Sequence, residues 1–259
     1  MEPLDQRRCA LVSGGTGFIG SYLVRALVAA GWEVHVLTRR TITKTDPVHY
    51  HQIPVGFKSL VPLFERIRPD TVFHLATYFV AEHHAHQITD LIEANLLFGT
   101  HLLEGMAATG VRRILNTGTT WQHMLPYSPD YHPANLYAAT KQAFESLLDF
   151  YCEAHSFNAI SLKLFDSYGP GDDRPKLLNV LVNRSEGSPP LKLSRGEQQL
   201  KLVHVLDVVE ALIRSECLLL CQEVPSHHRY VLGSVKSLTL REVVEILELL
   251  AGRTFNVIW

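Results

Sequence analysis

Short, β-rich apolar runs alternate with longer stretches whose apolar residues recur at helical spacing, and this alternation persists through the first two thirds of the chain. The runs Cys9 to Ser13, Glu33 to Thr38, Thr71 to Leu75, Ile114 to Thr117, Ala159 to Leu164 and His228 to Leu232 predict strands. Between them Ile19, Leu23, Ala26, Leu27 and Ala30 share one helical face, and so do Ile92, Leu96, Gly99, Leu102 and Leu103. Apolar strands separated by amphipathic helices predict an α/β architecture, a parallel sheet covered by helices. The stretch Gly169-Pro170-Gly171-Asp172-Asp173-Arg174-Pro175 is the clearest break. Beyond it a helix from Leu177, a Ser188-Pro189-Pro190 loop and a short strand around Leu191 to Leu193 predict a small α+β lobe that holds substrate.

Composition narrows the class. The 259 residues are 46% hydrophobic and 19% charged, enough apolar material for a sizeable core and length for one domain with an appendage. A net charge of -2 gives no general attraction for nucleic acid or an anionic membrane, so an anionic ligand needs a local site. Cys9, Cys152, Cys217 and Cys221 lack the spacing of a zinc ribbon or a disulfide framework, and Cys217 and Cys221 read as core residues of one apolar helix. A reducing, cytoplasmic setting is expected. Met1 to Arg8 is polar rather than signal-like, and no apolar run nears the roughly 20 residues of a membrane span. Among the 14 histidines, His83-His84-Ala85-His86 and His227-His228 have no Cys or carboxylate at ligand spacing. They are expected on surface loops, and no metal site is expected.

Gly14-Gly15-Thr16-Gly17-Phe18-Ile19-Gly20 follows an apolar strand and opens an amphipathic helix, the context that the dinucleotide phosphate fingerprint requires. The glycines allow a tight turn and let backbone N–H groups approach a pyrophosphate at the positive helix end. The other reading is a glycine-rich turn without ligand. After the second strand comes Leu37-Thr38-Arg39-Arg40, with no carboxylate for an adenosine 2′-hydroxyl. Arg39 and Arg40 suit a 2′-phosphate, which favours NADP over NAD; a solvated basic turn is the alternative.

In Asn135-Leu-Tyr-Ala-Ala-Thr-Lys141, Tyr137 and Lys141 fall one helical turn apart. A phenol titrates near about 10, and a neighbouring ammonium is expected to lower that value far enough for proton exchange near neutrality. Taken alone, the spacing is weak evidence, since both residues are common in helices.

Assembled, these residues resemble the extended short-chain dehydrogenase/reductase family, the NAD-dependent epimerase/dehydratase group, over essentially the whole chain. The carrying segments are Gly14 to Gly20, Asp70-Thr-Val-Phe-His-Leu-Ala76, Asn95-Leu-Leu-Phe-Gly-Thr100, Phe165-Asp-Ser-Tyr-Gly-Pro170 and Val203-His-Val-Leu-Asp-Val208. The resemblance implies a Rossmann-type doubly wound parallel sheet with a small α+β substrate-binding lobe. It implies an NADP-binding domain over residues 1–170, rejoined by 201–235, and a lobe from 171–200 and 236–259. Family members continue past the equivalent of Trp259, so part of that lobe is expected beyond this point. The resemblance also implies a homodimer formed through the helices carrying Asn95 and Tyr137.

Residue by residue, it implies Thr119, Tyr137 and Lys141 as the catalytic set, with Thr120 an alternative hydroxyl. Cofactor contacts are expected from Gly14, Thr16, Gly17, Phe18, Ile19, Gly20, Arg39, Arg40, Leu75, Ala76, Thr77, Asn95, Thr117, Tyr137, Lys141 and Phe165. Asn95 supports a water relay behind Lys141 or simply packs its helix. Substrate contacts are expected from Thr119, Thr120, Trp121, Gln122, Asp166, Arg174, Lys176 and Leu177. Arg174 and Lys176 are candidates for a diphosphate or plain surface charges, and Trp121 either stacks on ligand or packs. Leu200 stands where relatives often carry a diphosphate-binding Arg, with Lys201 or Arg174 as compensation.

Asn116-Thr-Gly-Thr-Thr-Trp-Gln-His123, Asn135 to Glu145, Leu162 to Asp172 and Arg174 to Asn179 resemble the branch of 4-keto-3,6-dideoxyglucose reductases, the CDP-abequose and CDP-paratose synthases. That branch implies NADPH-dependent reduction of the 4-ketone of a nucleotide-linked deoxysugar, as in lipopolysaccharide O-antigen synthesis. Thr120-Trp121 replaces the Asp-Glu pair of a dehydratase. An NAD-retaining nucleotide-sugar 4-epimerase and a non-catalytic NADP-binding sensor are the alternatives; the first would carry a carboxylate after the second strand and the second commonly lacks the Tyr or Lys.

Overall fold

The structure is a computed structural model that describes residues 8–42, 47–54, 56, 58–123, 128, 130–184 and 187–259. Of the Met1 to Arg8 segment, all but Arg8 lies outside the described residues. The first half runs β1 (Cys9–Ser13), α1 (Phe18–Ala29), β2 (Glu33–Thr38), β3 (Val48–Gln52), α2 (Val61–Ile67), β4 (Thr71–His74), α3 (Ile88–Ile92), α4 (Phe98–Thr109) and β5 (Arg113–Thr119). It continues with α5 (Leu136–His155), β6 (Asn158–Leu164), β7 (Asp166–Tyr168), α6 (Leu177–Val182), β8 (Leu191–Lys192), β9 (Gln199–Leu200) and β10 (Leu202–His204). The last part is α7 (Val205–Leu220), β11 (Ser226–Leu232), β12 (Leu238–Thr239), α8 (Leu240–Ala251) and β13 (Val257–Ile258).

Seven strands form one parallel sheet in the order β11-β6-β5-β4-β1-β2-β3. The chain winds outward from β1 to β3, then crosses back to β4 and winds the other way. The C-terminal ends of β1 and β4 therefore flank the crevice where doubly wound folds bind ligands. Side chains alternate between faces: Ala10 and Val12 join the core under α1 and α7, while Leu11 joins the core under α2, α4 and α5. Leu23, Leu27 and Leu212 fill the first layer, and Phe64, Leu102, Met106 and Phe144 the second. Each such side chain stabilises the fold by about 1.5–3 kcal/mol.

The predicted strands form, each within a residue or two of its expected bounds, but β3 lies outside them. Val48-His-Tyr-His-Gln52 is an edge strand with half-exposed polar positions, so it offers no apolar run to read. Apart from β8, which forms where a short strand is expected around Leu191 to Leu193, the remaining strands are unpredicted, two or three residues long, and form only by pairing: β7 with β10, β9 with β12 and β13 with β8. The last two pairs, with α6 and α8, enclose a separate core of Leu181, Leu240, Val244 and Phe255. A capping box starts α8, with Glu242 N donating to Thr239 Oγ1 at 3.2 Å and Thr239 N to Glu242 Oε2 at 2.7 Å.

Two expectations need correction. Cys217 and Cys221 are exposed rather than core residues. The buried stripe of α7 runs through Val208, Val209, Leu212, Ser215, Glu216 and Leu219; Cys217 turns outward, and Cys221 lies past the last turn. The buried Glu216 instead meets Arg8 and Thr71. His83, His84 and His86 are exposed near the turn before α3, but His227 and His228 belong to β11 rather than a loop. Among the described residues no helix is long and apolar enough to cross a membrane.

Candidate active site

Parallel register places Ser13 beside Leu37 of β2 and His74 of β4, so the segments leaving these strands converge at one edge. Gly14 takes φ +74°, and a Cβ there would fall 2.6 Å from Ala76 N. Only glycine lets the β1–α1 turn lie this close to Leu75 and Ala76. A Cβ at Gly20 would come within 2.1 Å of Gly14 O, which fixes how closely α1 packs on the turn. Thr16 and Gly17 form the exposed tip, and α1 starts at Phe18 with no side-chain cap and no acidic residue in its first turn. The bare N–H groups of Phe18, Ile19 and Gly20 and the positive helix end make a cradle that fits a pyrophosphate.

Arg39 and Arg40 leave the end of β2 exposed, on a turn held by Thr38 Oγ1, which accepts from Arg40 N at 3.0 Å. Neither guanidinium meets a carboxylate among the described residues, and none follows β2 in the described turn. At the end of β4, Leu75 N donates to Ser13 O at 3.0 Å. Asn95 sits in a wide π-helical turn, Glu93–Leu97, between α3 and α4. Its Oδ1 accepts from Thr77 Oγ1 at 3.0 Å and Tyr78 N at 2.7 Å, while Nδ2 donates to Tyr78 O at 3.1 Å and Thr140 Oγ1 at 2.9 Å. All four bonding positions of the amide are filled by protein groups, so it packs the loop after β4 onto α5 and has none left for a water relay.

β5 carries Thr117, buried with its hydroxyl on His74 O at 3.4 Å, and ends at Thr119. A tight turn over Thr120–Gln122 follows, capped by Thr119 Oγ1, which accepts from Trp121 N at 3.3 Å. Thr119 Oγ1 acts only as acceptor among the described groups, so its hydrogen is available to a substrate oxygen. The buried Thr120 donates its hydroxyl to Leu164 O at 3.4 Å. Gln122 is fully buried and uses its amide on Thr119 N (2.9 Å), Gln142 (2.8 Å) and Glu145 (2.9 Å). It sets the turn from behind.

Asn135 caps α5 by accepting from Ala138 N at 2.9 Å, and the first turns of that helix carry Tyr137 and Lys141. Phe79, a residue no sequence pattern marks, joins the parts: its ring meets Tyr137 edge-on at 4.9 Å and Trp121 at 5.8 Å. Burial pushes the Tyr137 phenol up to about 12, against opposing pulls from the Thr77 hydroxyl and the Arg174 guanidinium. Burial also brings the Lys141 ammonium down to about 8, opposed by the Glu145 carboxylate. The expected lowering of Tyr137 by Lys141 is therefore not found; desolvation dominates over Thr77 and Arg174, and the phenol keeps its proton. Lys141 is buried and makes no hydrogen bond among the described residues, so its donors are left for acceptors such as ribose hydroxyls.

A cavity of about 450 Å³ opens beside this turn, lined in part by Thr120, Trp121, His123, Phe165, Asp166 and Lys201. Phe165 packs tightly over Gly233, where a Cβ would lie 2.2 Å from its ring, and Lys201 Nζ stands 5.6 Å from the centre of that ring. Lys176 Nζ pairs with Asp166 Oδ1 at 2.7 Å. Arg174 is clasped by Asp172 at 2.6 and 2.7 Å and by Ser167 O at 2.9 Å, over the ring of Phe18. Both expected diphosphate cations are thus tied to carboxylates, and Leu177 packs against the core of the lobe. Lys201 contributes the lysine side chain that lines the cavity.

Fold and site together define a doubly wound α/β protein whose β1–α1 turn fits a dinucleotide and whose β5–α5 region opens on a cavity. The NAD dependent epimerase/dehydratase family matches residues 10–233, and the chain belongs to that family. It is 29% identical over 208 residues to the CDP-abequose synthase of Yersinia pseudotuberculosis, across 78% of this chain and 71% of that protein. It is 26% identical over 250 residues to the CDP-abequose synthase of Salmonella typhimurium, across 92% of this chain and 79% of the relative. The crystal structure of Thermus thermophilus UDP-glucose 4-epimerase in complex with NAD superposes with a TM-score of 0.79 at 27% identity, covering 96% of this chain and 85% of that one.

Proposed function

We propose that this protein reduces the 4-keto group of a nucleotide-linked deoxysugar with NADPH, in the manner of CDP-4-keto-3,6-dideoxyglucose reductases. The observation that carries this reading is the exposed Arg39-Arg40 turn after β2, with no carboxylate in the described turn, together with the buried Tyr137 joined through Phe79 to the wall of the cavity. Ketone reduction needs an acid at the carbonyl oxygen, whereas epimerisation of a sugar alcohol needs the same group to begin as a base. The similarity to two CDP-abequose synthases supports the sugar class.

The nicotinamide, when bound, supplies the hydride. Gly14 to Gly20 would hold the pyrophosphate, Arg39 and Arg40 the 2′-phosphate, and Lys141 the ribose hydroxyls. Thr119 donates a hydrogen bond to the ketone oxygen and fixes it toward Tyr137. Tyr137 delivers its proton to that oxygen as charge develops there, and Lys141 stabilises the resulting phenolate until it is reprotonated from solvent. Trp121 and Phe79 exclude water from the reacting carbonyl.

The likeness to an epimerase crystallised with NAD favours a second reading, an NAD-retaining nucleotide-sugar 4-epimerase. The turn Thr38-Arg39-Arg40 speaks against it, since no carboxylate there meets an adenosine 2′-hydroxyl. A panel of CDP-, dTDP-, UDP- and GDP-linked 4-keto sugars with NADPH or NADH separates the two. Consumption of NADPH with formation of the 4-hydroxy sugar is expected. Copurified, tightly held NAD with interconversion of C4 epimers and no net cofactor use would overturn the proposal.

A further inference from the structure

We infer that Glu33, His35 and His49 form a binding site for a borderline divalent metal ion, Zn²⁺ or a neighbour such as Ni²⁺ or Cu²⁺, on the β2–β3 edge of the sheet. Glu33 and His35 are two residues apart on β2 and share a face, and parallel register sets His49 of β3 beside His35. One ligand atom from each residue lies within 4.8 Å of the other two. His35 Nε2 is 3.1 Å and His49 Nε2 is 3.7 Å from Glu33 Oε1. Tetrahedral zinc with bonds near 2.0 Å separates its ligand atoms by about 3.3 Å, so the three atoms already outline most of one face. The exposed His49 ring has the freedom to close the remainder.

The support behind these residues is that of a metal site. His35 is buried, stacked between His49 at 4.7 Å and His51 at 5.1 Å, and its Nδ1 lies 2.8 Å from His51 Nε2. An outer hydrogen bond of this kind fixes ring orientation in metal centres. In the absence of metal, Nε2–H of His35 donates to Glu33. On binding, the ion takes Nε2 and the ring proton moves to Nδ1; His51 then accepts it at Nε2 by shifting its own ring proton to Nδ1 and giving up the Arg66 Nη2 contact at 3.3 Å. Two imidazoles and one carboxylate select Zn²⁺, Ni²⁺ or Cu²⁺ over Mg²⁺ or Ca²⁺, and solvent completes the coordination.

Glu33 opens β2 whereas Arg39 follows its end, roughly 20 Å away at strand rise. The ion would therefore tie the edge strand β3 to β2 and stand apart from the reaction. No local sequence motif marks it, because the ligands come from two strands, one of them an edge strand of polar residues.

The test uses the untagged full-length chain, titrated with Zn²⁺ against a chromophoric chelator and with Co²⁺ for its ligand-field spectrum. Wild type is expected to bind one tight equivalent of Zn²⁺ and to gain thermal stability on binding. His49→Gln and Glu33→Gln, both at partly exposed positions, should each weaken affinity at least about tenfold and abolish the thermal gain. His84→Asn/His86→Asn, at a second, exposed histidine pair, should leave both unchanged. Absence of a tight equivalent, or its loss in His84→Asn/His86→Asn with retention in His49→Gln, would overturn the inference.

Discussion

Glu145→Gln probes the scaffold under the site. Glu145 is fully buried on α5, one turn past Lys141. Its Oε1 accepts Gln122 Nε2 at 2.9 Å, and its Oε2 accepts Arg229 Nε at 3.0 Å and lies 3.4 Å from Lys163 Nζ. A Cβ on Gly118 would fall 2.7 Å from Gln122 Oε1 and 3.0 Å from Glu145 Oε1, so β5 is cut to fit this network. After the substitution Arg229 keeps Asp149, whereas Lys163, with a side chain 7% exposed, keeps only the His123 ring nitrogen at 2.6 Å. Breaking one side of a buried pair costs about 3–5 kcal/mol, and the surviving His123 contact puts this case at the low end, about 3 kcal/mol. Lys163→Met leaves Glu145 its Arg229 partner and should lose less. The double variant should lose about 1–3 kcal/mol less than the sum. Urea unfolding of the four proteins measures this; a loss under about 1 kcal/mol for Glu145→Gln, or simple additivity, would refute the reasoning. A second readout follows from Lys141, which Glu145 keeps from falling further. Without that carboxylate its value drops below about 8, and the alkaline limb of the pH–rate profile should move to lower pH.

Tyr137→Phe should lower turnover by about 10²–10⁴-fold while leaving nucleotide affinity and the unfolding midpoint near wild type; retained turnover would remove Tyr137 as the acid. Arg39→Ala with Arg40→Ala should weaken NADPH by about 10–100-fold and NADH little, since only the former carries the 2′-phosphate; equal losses by fluorescence titration would contradict the assignment. Buried His74, on Ser13 Oγ at 2.7 Å, is held down to about 3 by burial, helped by the Lys141 charge. Its unfolded form takes a proton near 6.5 and its folded form does not, so stability is complete above that pH and falls by about 1.4 kcal/mol per pH unit as pH drops toward 3. A His74 ring that titrates near 6.5 in the NMR spectrum of the folded protein would sink this.

The parts of the fold legible in sequence are those encoded locally. Cys9 to Gly20 reads as strand, glycine turn and helix because each signal is contiguous, and β1 and β2 match their predicted bounds. β3 and, β8 apart, the short strands of the lobe escape because their polarity or brevity gives no periodic signal, and distant pairing creates them. The Tyr137–Lys141 spacing is legible, but the state of the pair is not. Cover of the Tyr137 ring comes from Phe79, which meets it from another part of the chain and is itself met by Trp121. Gln122 shows the same limit: its place beside Thr119 and Trp121 predicts a pocket residue, yet its amide faces Glu145 on α5. Arg174 and Lys176 read as free cations only until Asp172 and Asp166 are seen to hold them.

Net reduction at C4 is tested most directly by a single incubation with a CDP-linked 4-keto-3,6-dideoxy sugar and NADPH deuterated at the transferring position of the nicotinamide. The account predicts one NADPH oxidised per sugar, with deuterium bonded to C4 of the 4-hydroxy product. A product without deuterium at C4, or turnover of sugar with no oxidation of NADPH, would contradict it.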